Sequence, residues 1–218
     1  MSYQKQNLKM QNYLFKGGRY PFKEENFRFL MINIDNSEDE MLVYNFLEEL
    51  FFDGFILKEG KDSFLFYFIE PEISFKDLFV SISADFSVPL KVYVSGKINQ
   101  KYPENFHLLY KNVKEFLSGK PYLFSTNAEL IKEIIRTDFK KLKEIRPAVL
   151  NRIFDDTQME KLILSLFENN LNVTRTAQDV YMHRNTVINK LEYIKQETGL
   201  NLQKFTDAAC MYWLLKTK

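Results

Sequence analysis

The chain has 218 residues, of which 45% are hydrophobic, enough for one medium core or two small ones, and two compact units are expected. Thirty Lys or Arg stand against 29 Asp or Glu, a formal charge of +1. That balance excludes a chain committed as a whole to polyanions, so any nucleic-acid surface must be local.

A lone cysteine, Cys210, rules out an internal disulfide framework and suits a reducing compartment, although a cysteine-poor secreted protein would share the feature. The start MSYQKQNLKMQNYLFKGG lacks the apolar stretch of a signal peptide. The longest wholly apolar run, Phe64 to Ile69, is far too short to span a bilayer. The expectation is a soluble cytoplasmic protein without membrane contact.

In chain order, residues 1–21 are rich in Gln, Asn and Lys, have no sustained period, and are expected as an arm or a short docking helix. FRFLMINI reads as a strand. SEDEMLVYNFLEELFF (residues 37–52) opens on a capping Ser and an acidic turn, then takes helical spacing. GFIL and SFLFYFI flank the polar KEGKD and predict two strands around a tight turn. A helix over residues 75–86, a strand at LKVYVSG and a helix over residues 103–118 follow. The order strand, helix, hairpin, helix, strand, helix is the split βαβ, ferredoxin-like arrangement, with helices on one face of an antiparallel sheet. The fold class is therefore α+β, with a ferredoxin-like unit over residues 22–126.

YLFS predicts a short edge strand, and residues 127–145 a helix within a linker that ends at residue 154. Ile131, Ile135, Phe139 and Leu142 recur at spacings of four, four and three, a seam that must be buried either on its own domain or against a second copy. Pro147 should break or kink this helix. From about Asp155 an all-α unit of residues 155–218 begins. Thr157 and Glu160 have capping-box spacing, and Met159, Leu162, Ile163, Leu166 and Phe167 form one apolar face. In the last helix Phe205, Ala209, Tyr212 and Leu215, or Trp213 and its neighbours, supply the packing face.

Between them lies NVTRTAQDVYMHRNTVINKLEYIK, residues 172–195. A short helix is predicted over 174–180 with Thr174 as N-cap and small Ala177 at a close crossing, then a turn over 181–183. On the next helix Val187, Leu191 and Ile194 face inward. The opposite side therefore carries Asn185, Thr186 and Asn189, with Ile188, Lys190 and Tyr193 at its edges. Polar groups at a helix N-terminus suit phosphate, Asn can pair with an adenine edge, and Arg184 and Lys190 can hold phosphate or guanine. Residues 159–218 hold 8 Lys or Arg against 6 Asp or Glu, and Glu192 and Glu197 should point away from a groove entered by the N-terminal end.

These residues resemble the C-terminal helix-turn-helix of PucR-type transcription regulators. The resemblance is carried by N-x-T-x-T-A at Asn172 to Ala177, H-R-N-T at His183 to Thr186, K-L at Lys190 and Leu191, and T-G-L-x-L at Thr198 to Leu202. The same two helices are similar to the DNA-binding end of the nucleoid protein Fis. The resemblance implies that His183, Arg184, Asn185, Thr186 and Lys190 meet DNA and that Arg175 reaches its backbone; His183 either contacts phosphate or caps the turn. Asn189 joins them as a DNA-facing residue by its place on the outward side, although relatives commonly carry basic or aromatic residues where this chain has Ile188 and Asn189. More weakly, Gly60, Lys61, Asp62, Ser63 and Phe64 occupy a hairpin turn similar to the G-G-D-E-F turn of diguanylate cyclases. Lys61 and Ser63 supply neither the second Gly nor the acid that a cyclase needs, so this resemblance implies a degenerate, non-catalytic domain.

No Ser, His and Asp constellation, P-loop or dinucleotide fingerprint occurs, and His107 has no second His or Cys at metal spacing. No enzyme, metal or cofactor is expected. The expected function is a dimeric, sequence-specific, DNA-binding transcription regulator. Its N-terminal domain meets a small-molecule or protein effector or holds the homodimer. The alternative is a protein-interaction module whose helix-turn-helix has drifted from DNA, for which Ile188, Asn189 and the near-zero charge speak.

Overall fold

The run NFRFLMINI (Asn26–Ile34) forms β1, the central strand of the computed structural model, which describes residues 3–34, 37–51, 53–121 and 123–217. Six successive residues of β1, Phe27 to Ile32, are buried, which requires cover on both faces of the sheet. Phe27, Phe29 and Met31 enter one apolar cluster, Leu30 and Ile32 the other.

Before β1 runs helix α1 (Tyr3–Lys16), and after it α2 (Ser37–Leu50), β2 (Phe55–Glu59), β3 (Asp62–Tyr67), α3 (Phe75–Asp85), β4 (Leu90–Val94), β5 (Ile98–Asn99), α4 (Pro103–Leu117) and β6 (Leu123–Thr126). The sheet order is β2-β3-β1-β4-β6, with β5 paired to β1. All pairings are antiparallel except β4 with β6, which is parallel. The first four strands thus have the ferredoxin-like order, and β6 extends it at one edge. Gly60, with φ +63°, makes the two-residue turn between β2 and β3, a conformation that glycine adopts without steric cost.

Helices α2 and α3 cover one face through Val43, Leu47, Phe79 and Ile82. The expectation of helices on one face only is corrected, because α1 (Met10, Tyr13, Leu14) and α4 (Phe106, Leu109, Val113) cover the other. The physical reason lies in the strands: Leu30 and Ile32 of β1 and Leu65 and Tyr67 of β3 are apolar on one face, Phe29 and Met31 of β1 and Phe64 and Phe66 of β3 on the other, so neither face can be left to water. Residues 1–21 accordingly contain a docked helix, held also by Asn7 Nδ2 donating to the Ile56 carbonyl at 2.8 Å and by the Tyr13 hydroxyl on the Gln100 carbonyl at 2.6 Å. The side chain of Ser37, to which a capping role was assigned, lies outside the described residues.

The helix expected over 127–145 is two helices, α5 (Asn127–Thr137) and α6 (Lys141–Leu150). Asp138 ends the first in extended backbone, and its carboxylate accepts from the Lys140 N–H at 3.3 Å, a local bond that competes with helix continuation. Pro147 lies inside α6 and does not end it. Ile131 and Leu142 of the expected seam are fully buried on the chain's own core, whereas Phe139 is 42% exposed. A 3₁₀ turn (Asn151–Ile153) leads to α7 (Thr157–Glu168), α8 (Val173–Asp179), α9 (Arg184–Thr198) and α10 (Phe205–Lys216). The apolar cluster on the α1/α4 face continues without a break from the sheet through α5 and α6 into these helices.

The packing face of α10 is Ala208, Cys210, Met211, Leu214 and Leu215, so the expected face through Phe205 and Tyr212 is corrected. This helix is apolar on nearly every side, and its period alone does not choose a face. Burial pushes the Cys210 thiol up to about 11, which leaves it a packing residue.

In the β2/β3 hairpin the Asp62 carboxylate is 4% exposed and accepts from Lys114 Nζ (2.7 Å), the Tyr110 hydroxyl (2.6 Å) and Asn33 Nδ2 (3.1 Å). Burial acts to raise its pKa, and the bonds from Lys114, Tyr110 and Asn33 outweigh that, leaving it below the ordinary carboxylate range. A depressed carboxylate stabilises the fold above its unfolded pKa, about 4, and the contribution is lost as pH falls through the lower folded value. Asp62→Asn should therefore cost about 1–3 kcal/mol at pH 7. In urea denaturation the deficit against wild type should shrink below about pH 4; a deficit independent of pH would show that the charge is not what matters.

Candidate nucleic-acid interface

α8 starts at Val173 because Asn172 caps it, its side-chain oxygen accepting from the Thr174 and Arg175 N–H groups at 3.1 Å each. The cap is thus two residues earlier than the Thr174 expected from sequence. Similarly, Asp156 rather than Thr157 caps α7, accepting from Gln158 and Met159 N–H. In both cases an Asn or Asp stands one or two residues before the Thr, and its longer side chain takes the cap. Ala177 is 4% exposed at the α8/α9 crossing, and its carbonyl accepts from Met182 N–H at 2.8 Å, which closes the turn.

α9 starts at Arg184 with His183 as its cap, Nδ1 accepting from the Asn185 N–H at 3.3 Å. Val187, Leu191 and Ile194 are buried, as the spacing predicts. Arg175, His183, Arg184, Asn185, Thr186 and Asn189 are exposed, and Lys190 is half-buried at the edge. Arg175, Arg184 and Lys190 form no ion pair among the described residues, so their charge faces solvent uncommitted. The acids of the two helices are engaged elsewhere. Asp179 accepts from the Ser165 hydroxyl of α7 at 2.5 Å, and Glu192 pairs with Lys195 at 3.2 Å.

Glu197 lies away from the leading end of α9, as expected, and is also buried. It is 1% exposed, pairs with Lys97 at 2.8 Å, and accepts from Asn151 Nδ2 at 2.7 Å. The carbonyls at the end of α9 are likewise taken by the sheet and its neighbours. Gln196 O accepts from the Arg28 guanidinium (2.8 Å), Glu197 O from Lys97 N–H (2.9 Å) and Thr198 O from Asn127 Nδ2 (2.8 Å). Asn127 also accepts from the buried Tyr93 hydroxyl. Gly199, in left-handed backbone, returns its N–H to Lys195 O at 2.8 Å. The partners of these three carbonyls, Arg28, Lys97 and Asn127, lie 168, 100 and 71 residues away, and no local sequence pattern marks them.

Sequence reasoning also passed over Tyr181, which sits in the α8/α9 turn at φ +54° and is 96% exposed. An aromatic residue in a polar turn is the signal that was available.

The profile of the PucR C-terminal helix-turn-helix domain matches residues 161–217. These residues are a PucR-type helix-turn-helix domain. The PucR-type domain thus comprises most of α7 together with α8, α9 and α10. Over 150 residues, 65% of this chain, the sequence is 26% identical to a protein of Streptococcus dysgalactiae subsp. equisimilis named leucine-rich protein. Over 82 residues, 37% of the chain, it is 24% identical to the uncharacterized protein YxkF of Bacillus subtilis (strain 168). The matched regions span 52% and 28% of those relatives. The crystal structure of a regulator of polyketide synthase expression from Bifidobacterium adolescentis superposes with a TM-score of 0.39 at 14% identity, covering 90% of this chain and 81% of that one.

The seating of the PucR-type domain depends on Gly96, where an added Cβ would lie 2.7 Å from Glu197 O and 2.8 Å from the Thr198 carbonyl carbon. Both are backbone atoms that cannot swing aside. Gly96→Ala should cost about 1–3 kcal/mol, read as a lower urea midpoint. An unchanged midpoint would mean that the end of α9 does not rest on this loop.

Proposed function

We propose that the chain is a dimeric, sequence-specific DNA-binding transcription regulator acting in the cytoplasm. In this reading residues 155–218 enter the major groove, and residues 22–126 form a non-catalytic, degenerate G-G-D-E-F-like domain. The observation that carries it is the leading end of α9, where Arg184, Asn185, Thr186 and Asn189 stand exposed around a helix N-terminus, their side chains without a partner among the described residues. Arg175 and Lys190 supply phosphate contacts, and His183 orients the turn by capping it. The second domain's reading is supported by Asp62, whose carboxylate is tied to Lys114, Tyr110 and Asn33 and so is not free for a metal.

Dimerisation follows from the small number of cations. A single such motif binds near the non-specific level, about 10⁻⁴ to 10⁻⁶ M at physiological salt, and two half-sites are needed to discriminate. The surface that supports it is aromatic. Phe139, Tyr212 and Trp213 form one edge-to-face chain with centroid separations of 5.5 and 5.6 Å, all partly exposed, with Phe205 77% exposed nearby.

Arg184→Ala and Asn185→Ala should each weaken binding to a selected site by about 5- to 150-fold, equivalent to 1–3 kcal/mol, without lowering the thermal midpoint. Binding by both variants at wild-type strength would sink the recognition-helix assignment. Affinity should also fall between about 50 and 200 mM salt. Trp213→Glu should shift the chain from dimer to monomer in sedimentation analysis; a dimer that survives this change must use another face.

Tyr181 and the half-buried Ile188 favour a second reading, a protein-interaction module, because they place apolar area on the same face. A random-DNA selection that returns no enriched sequence, with a stable protein partner in pull-downs, would decide for it.

A further inference from the structure

A cavity of about 560 Å³ opens between the start of α4 and the 3₁₀ turn that follows α6. Its floor holds three asparagines, Asn99, Asn105 and Asn151, exposed by only 8%, 7% and 9%. Buried carboxamides ordinarily have all their groups bonded. Here they do not. Asn105 makes no side-chain hydrogen bond among the described residues; Asn99 uses its oxygen on the Lys101 N–H and leaves Nδ2 unpaired; Asn151 spends Nδ2 on Glu197 and leaves Oδ1 unpaired. None of these unpaired atoms is sealed from the cavity, in contrast to the buried orphans elsewhere in the fold. Asn151 is moreover held at φ +48° and ψ −122°, a region that costs a non-glycine residue free energy and that recurs at ligand clamps.

The rim is charged with both signs. Lys101, Glu104 and Asp155 line it without ion pairs among the described residues, and Arg152, paired with Glu25, adds a second cation. α4 also begins here without a side-chain cap, Tyr102 standing at its N-cap position. Neutral donors and acceptors below, with unpaired cation and unpaired acids above, fit a small molecule carrying one negative and one positive group. A pure anion would face Glu104 and Asp155, and a pure cation would face Lys101 and Arg152.

We propose that this cavity binds a free α-amino acid, its carboxylate toward Lys101 and Arg152, its ammonium toward Asp155, and its polar atoms on Asn105. The occupant reports to the recognition helix through Asn151, which joins the cavity floor to Glu197 near the end of α9. This regulatory half rests on the DNA-binding reading above, whereas the binding half does not.

The test uses the full chain. Calorimetry and thermal shift against the twenty proteinogenic amino acids, each repeated with its N-acetyl and C-amide forms, should find at least one amino acid that binds and whose two blocked forms do not. Asn105→Ala and Lys101→Ala, which break no bond within the fold, should each weaken that binding by about tenfold or more, while circular dichroism and the unliganded midpoint stay as in wild type. Failure of every amino acid to bind overturns the proposal, as does binding that persists at full strength in both variants. Saturating ligand should then change DNA affinity by about fivefold or more in gel shift. DNA affinity that ignores a bound ligand overturns the coupling. A chain that binds the amino acid but no DNA supports the cavity and refutes the DNA-binding reading.

Discussion

The structure depends on how one helix end is satisfied. The last carbonyls of any α-helix lack intrahelical donors, and a buried end without partners costs free energy for each orphan. α9 solves this with groups from elsewhere in the chain: Arg28 from β1, Lys97 from the loop after β4, and Asn127 from the start of α5. Glu197 adds a side-chain pair with Lys97 and a bond from Asn151. Removing Lys97 or Asn127 leaves Glu197 or the Thr198 carbonyl and the Tyr93 hydroxyl without a partner in the core, which is why this junction is more demanding than the apolar contacts around it.

That arrangement fixes where the opposite end of α9 points. With its C-terminal turn bonded to the sheet domain, the helix presents Arg184, Asn185 and Thr186 outward from the body of the molecule. The shortage of positive charge that the composition raises is eased locally: Glu192 is paired with Lys195 and Glu197 is paired with Lys97 in the core, while Asp179 keeps its charge beside the Ser165 hydroxyl.

Much of this was legible in the sequence wherever the determinants are local. The strands of the sheet, its helices α2 to α4, the inward face Val187, Leu191 and Ile194, and the small residue at Ala177 follow from period and spacing. Cap positions were displaced by two residues at Asn172 and by one at Asp156, because capping residues close in sequence compete and only geometry decides. The break at Asp138 was hidden by an apolar repeat that continues across it. α10 was rotated because it is apolar nearly all round. Nothing local could reveal Arg28, Lys97, Asn127 or Asn151, whose roles exist only once the sheet and α9 have met.

The bond between Arg28 and Gln196 joins positions 168 residues apart, and this bears on how the chain comes to be made. At a synthesis rate of about 5–20 residues per second, a cation placed in the first strand waits on the order of ten to thirty seconds for its acceptor to leave the ribosome. Glu70, which lies 3.0 Å from the same guanidinium and remains 44% exposed, is translated far sooner. It gives Arg28 a counter-charge during that interval, so the sheet can close around a buried arginine before α9 exists.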